Sequence, residues 1–204
     1  MENQKSQFKR NLSLILIGLY VVSVGAFVYA NYASEPDFQK WWMLALNILI
    51  VSIPLVLVFG SIYVLVIAWR EHSTLGEVNP RLAKIIHWAP RVAAMMIIFF
   101  VGLFSLDVFE MQASPLELLG GFLMHNIPAI VMLLLLILAW KRPAVGFVAF
   151  LVAGALFSIF FVRSIYALPN LVLFVLPMLL IAGLFYADWK WLKPQPPAQS
   201  EAEA

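Results

Sequence analysis

The sequence contains no cysteine, which excludes disulfides, thiolate metal ligands and a cysteine nucleophile while leaving the redox compartment open. Charge is scarce as well. Asp, Glu, Lys and Arg make up 12% of the chain, about half of the roughly 25% found in soluble domains. Histidine occurs three times, with His72 and His87 far along the chain from His125. The P-loop G-x-x-x-x-G-K-S/T, the zinc-protease H-E-x-x-H and the hydrolase G-x-S-x-G are all missing, so nothing points to nucleotide, metallopeptidase or serine-hydrolase chemistry. No catalytic residue, cofactor or metal is expected, and the protein reads as a non-enzyme.

What fills the chain is apolar. Hydrophobic residues account for 63% of its 204 residues, and a helix needs about 20 apolar residues to cross a hydrocarbon core of roughly 30 Å. The apolar runs predict an all-α, polytopic membrane protein with six spans, at about 12–30, 41–69, 89–111, 115–140, 144–162 and 169–189. They form one transmembrane domain over 1–190, followed by a Pro-rich, acidic tail at 191–204 expected to be disordered. The first span has a second reading as a signal peptide ending in Val28-Tyr29-Ala30, although its apolar run exceeds the usual 7–15 residues.

The connections carry local signals. Asn79-Pro80 reads as an N-cap followed by a first-position proline. It closes a long polar connection, 70–87, and opens a short interfacial helix near 80–88 in which Arg81, Lys84, His87 and Arg91 supply cations for lipid headgroups. Ser114-Pro115-Leu116-Glu117 is a capping box. It starts the fourth span directly after the third, so the two must be antiparallel neighbours. Pro54, Pro128 and Pro177 each precede an inner-end pair, Trp69-Arg70, Trp140-Lys141 and Trp189-Lys190, suggesting three tandem antiparallel hairpins.

Lys and Arg distribution predicts the orientation. With the N-terminus in the cytoplasm, the inner segments hold Lys5, Lys9, Arg10, Arg70, Arg81, Lys84, Arg91, Lys141, Arg142, Lys190 and Lys193, and the outer loops hold Lys40 and Arg163, eleven against two. By the positive-inside rule both termini are cytoplasmic, in the inner membrane of a prokaryote. The expected partners are the lipid bilayer and either a second copy or another membrane protein, not nucleic acid.

One polar constellation stands out around the hairpin from Trp88 to Lys141. Counting from the inner tryptophans places Asp107 and His125 at similar depth in the outer leaflet, with Glu110 one turn from Asp107, Asn126 beside His125, and Arg163 at the same level. A carboxylate in the bilayer costs about 2.5–3.5 kcal/mol and should face a partner. The cluster reads either as a structural lock, with Asp107 paired to Arg163 or His125 or reaching interfacial water, or as a proton relay or cation site in a transporter.

From Trp88 onward the motifs W-A-P-R, F-S-L-D-V-F-E, H-N-I-P and A-W-K resemble a family of small bacterial and archaeal integral membrane proteins classed as a domain of unknown function. The resemblance covers about residues 84–190 and implies a four-helix membrane unit with no assigned activity. It maps Asp107, His125 and Pro128 onto pattern positions, and leaves the first two spans without a counterpart.

Overall fold

The computed structural model describes residues 2–34, 40–163 and 167–192. All regular structure among them is helical, in the order α1 (Glu2–Ser34), α2 (Trp41–Leu75), α3 (Pro80–Leu103), α4 (Pro115–Ala139), α5 (Pro143–Phe161) and α6 (Ala167–Trp191). All six are long and apolar enough to cross a membrane, which makes the chain a multi-pass membrane protein. The tail expected to be disordered falls almost entirely outside the described residues, as do Glu35 and Asp37 of the first loop.

The ends of α3 and α4 follow from local chemistry. Asn79 caps α3, its side chain accepting from the Leu82 amide at 3.0 Å, and Pro80 takes the first helical position. At Ser114 the capping box is complete: the Ser114 amide donates to Glu117 Oε2 at 2.9 Å, and the Glu117 amide donates to Ser114 Oγ at 3.4 Å. α2 stops at Gly76, whose φ of 72° is the left-handed value that an L side chain resists. In α6 a wide π-helical stretch, Leu171–Val175, precedes Pro177, whose ring would clash with the Leu173 carbonyl in an ordinary α-helix.

Two expectations are corrected here. The polar connection shrinks to 76–79, because α2 continues to Leu75. The separate interfacial helix near 80–88 is instead the first turns of α3, which runs unbroken through the buried Pro90. The reason is that Leu82 and Ile86 are buried against Ile67, Ala68 and Ala187. An apolar stripe covered by protein does not need the interface.

Past Leu103 the third span tightens into a 3₁₀ turn, Phe104–Glu110. With three residues per turn, Ser105 and Val108 stack on one row and are buried, whereas Asp107 and Glu110 stack on another and are exposed.

Every consecutive pair of helices is in contact, and α2, α3 and α6 also pack on one another. The main core gathers Leu57 of α2, Ile97 and Phe100 of α3, Leu136 of α4, Phe150 of α5 and Phe185 of α6. α1 lies at the edge, tied to α2 by a 2.9 Å bond from Tyr20 Oη to Ser52 Oγ and by the edge of Tyr20 on Phe59. Exposed Trp69, Trp88, Trp140 and Trp189 ring one end, and Trp41 and Trp42 mark the other. From Trp41 to Trp69 the helix rises about 42 Å, matching the roughly 40–45 Å of a bilayer with its headgroup layers.

Candidate functional site at the basic end

The strongest polar construction lies at the end that carries the basic residues. Arg91 of α3 is 1% exposed and Asp188 of α6 is 5% exposed, so two opposite charges are taken from solvent between three helices. Arg91 Nη1 donates to Asp188 Oδ2 at 2.8 Å. The other carboxylate oxygen, Oδ1, faces His87 Nδ1 at 3.2 Å. A carboxylate only accepts, so the nitrogen facing it carries the hydrogen.

The rest of the guanidinium serves α4. Nε and Nη2 donate to the Trp140 carbonyl at 3.3 and 2.8 Å. That carbonyl belongs to the last turn of α4, where no intrahelical amide remains to satisfy it. Nη1 also donates to the His87 carbonyl one turn back on α3, so four of the five guanidinium donors are engaged. The Phe185 ring lies 5.9 Å from the guanidinium carbon. One side chain thus ties α3 to α6 through charge and to α4 through a helix-terminal carbonyl.

A second node adjoins it. Glu71, 9% exposed near the end of α2, accepts from Asn79 Nδ2 at 2.6 Å and pairs with Lys9 Nζ of α1 at 3.4 Å. Glu71 thereby orients the residue that caps α3. His72, next in the chain, stacks on Trp191 at 5.4 Å and 18°. Its buried Nδ1 has no hydrogen-bond partner among the described residues.

The far end is built differently. Asp107 and Glu110 are exposed, and among the described residues neither makes an ion pair or side-chain hydrogen bond. His125 is exposed, its Nδ1 donating to Gly121 O of its own helix at 3.0 Å. Arg163 is exposed and has no ion pair with Asp107 among the described residues. No group of three or more His, Asp or Glu side chains among the described residues has metal-binding proximity. The pairing of Asp107 with His125 or Arg163 is therefore corrected: equal depth sets the level of a side chain, not the direction in which it points.

Of that constellation, Asn126 alone reaches across helices. Its Nδ2 donates to Ser105 Oγ at 2.6 Å and to Phe122 O at 3.0 Å, and Ser105 Oγ donates to Gly102 O at 2.6 Å. Of the headgroup candidates, Arg81 and Lys84 are exposed. His87 is exposed, with its Nδ1 facing Asp188, and the reading of Arg91 as a headgroup contact is corrected by its burial.

A comparison with known protein families matches residues 79–198 to the domain of unknown function DUF7670. The chain belongs to this family. No curated protein matches the chain, and no solved structure matches it. The DUF7670 segment spans α3 to α6 and contains every residue of the Arg91, His87, Trp140 and Asp188 network, whereas Lys9 and Glu71 lie outside it. The signal that would have disclosed the network in the sequence is a pair of opposite charges, Arg91 and Asp188, each inside an apolar run and each a few residues from an inner tryptophan.

The separation of the outer residues predicts a null result. A double-mutant cycle over Asp107→Ala and His125→Ala, read by thermal unfolding in detergent, should give a coupling below about 0.5 kcal/mol, the additivity limit for independent sites. A coupling above about 1 kcal/mol would show that the two side chains meet.

Proposed function

We propose that this protein is a non-enzymatic structural or accessory component of the cytoplasmic membrane of a prokaryote, with both termini in the cytoplasm. The observation that carries this reading is the use made of its buried charge. The Arg91–Asp188 pair spends its donors and acceptors on a helix-terminal carbonyl, an imidazole and each other, which holds helices in register. The basic end, with Lys5, Lys9, Arg10, Lys141, Arg142 and Lys190, supports a cytoplasmic assignment for that end. The partner of such a component would be a second copy or another membrane protein.

Flux measurements test the reading. In proteoliposomes containing a pH-sensitive dye, under imposed proton and potassium gradients, relaxation is expected at the rate of protein-free vesicles. A protein-dependent, saturable flux that disappears in Asp107→Asn or His125→Ala would overturn it in favour of a proton- or cation-coupled carrier.

A further inference from the structure

We infer that the face between α4 and α5 is a binding site for one anionic phospholipid of the leaflet at the basic end. The groove there has a volume of about 690 Å³, and its walls include Pro128 and Met132 of α4 and Val148, Val152 and Leu156 of α5. Ala144, Ala149 and Ala153 keep it open, because a methyl group is all that each places in it. From Ala144 to Phe157 it runs about 20 Å along α5, enough to span the roughly 15 Å of one leaflet of a hydrocarbon core of about 30 Å. An acyl chain of that leaflet fits its length.

At the basic end, beside the groove, a second recess of about 820 Å³ is lined by Trp140, Lys141, Arg142, Ile137 and Leu138. Val145 lines both spaces, which places them side by side at this end. Lys141 and Arg142 are exposed, and their side chains have no ion pair or hydrogen bond among the described residues. Lys9 is engaged by Glu71, Arg70 over Phe8 at 3.8 Å, Arg91 by Asp188, and Lys190 over Trp189 at 3.9 Å, while Lys5, Arg10, Arg81 and Lys84 are exposed but do not line this recess. The turn that carries the two free cations is held in place, since the Trp140 carbonyl accepts from Arg91 and the Arg142 amide donates to Ala139 O at 3.0 Å.

An apolar slot one leaflet deep, ending at two unpaired cations beside an interfacial tryptophan, complements an acyl chain joined to a phosphate. Charge also argues against a second copy as the occupant. A symmetric dimer through this face presents the same patch on both subunits, so it would bring Lys141 and Arg142 of each copy to the same level, where like charges repel.

The test is lipid titration of the purified full-length chain after delipidation, read by native mass spectrometry. Phosphatidylglycerol and phosphatidylcholine with identical acyl chains are compared. Phosphatidylglycerol should bind at least about 25-fold more tightly. Lys141→Gln and Arg142→Gln should each weaken that preference about fivefold, and together about 25-fold. Both residues are exposed, so these variants should retain the fold. Ala149→Phe and Val152→Phe, which fill the groove at two levels, should each reduce binding of phosphatidylglycerol. Glycerol phosphate without acyl chains should not compete at concentrations that saturate the lipid. Equal binding of the two lipids, a preference unchanged in the double Gln variant, competition by glycerol phosphate alone, or a dimer dissociated by Ala149→Phe would each overturn the proposal.

Discussion

Asp188→Ala is expected to destabilise the folded bundle by about 3–5 kcal/mol, the cost of leaving one member of a buried ion pair without the other. The size follows from the burial of Arg91, which at 1% exposure cannot turn to water when its carboxylate is lost. Arg91→Met should cost a comparable amount for a different reason. It strands the Asp188 carboxylate, and it also leaves the Trp140 carbonyl at the end of α4 without a donor. Asp188→Asn keeps an acceptor for Arg91 and should lose less than Asp188→Ala. Unfolding in mixed detergent, followed by tryptophan fluorescence, measures all three. Losses under about 1 kcal/mol would mean that the pair sits in a hydrated environment and locks nothing.

The second large effect is expected at Gly146, where α5 packs on Phe185 of α6. A Cβ placed there would lie 2.6 Å from both Cγ and Cδ1 of Phe185, well inside van der Waals contact. Phe185 has no room to yield: it is fully buried and stacks on Phe150 at 5.8 Å and 24°. Gly146→Ala should therefore cost about 1–3 kcal/mol as an overpacking change, and Gly146→Leu should separate the two helices. Small residues at such crossings let membrane helices approach closely. The control is Gly25→Ala on α1, where nothing lies within 4 Å of the added carbon. It should be neutral or stabilising by up to about 1 kcal/mol, since alanine favours a helix over glycine. Equal effects at the two positions would contradict the close approach of α5 and α6.

What could be read from the sequence was local. The apolar runs give the six spans, and Asn79 and Ser114 mark helix starts because a cap depends on residues only three positions away. The Arg91–Asp188 pair joins residues 97 positions apart, and no local rule connects them. Arg91 stood in helical register with Lys84 and His87 and so read as one more interfacial cation, while the burial that distinguishes it comes from α6. The outer constellation misled for a physical reason as well. The 3₁₀ turn past Leu103 puts Ser105 and Val108 on the buried row and leaves Asp107 and Glu110 exposed. Ser105, which carries no charge, is the residue that meets Asn126.

The account centres on Arg91 and Asp188 acting as a single lock between α3, α4 and α6. The most direct measurement is a double-mutant cycle with Arg91→Met, Asp188→Leu and the combined variant, in the same detergent unfolding assay. The lock predicts that the double variant is more stable than either single one, because an apolar pair replaces the ion pair without leaving a charge behind, with a coupling of at least about 2 kcal/mol. Losses that add, with a coupling within about 0.5 kcal/mol of zero, would show that the two charges do not depend on each other and would contradict the account.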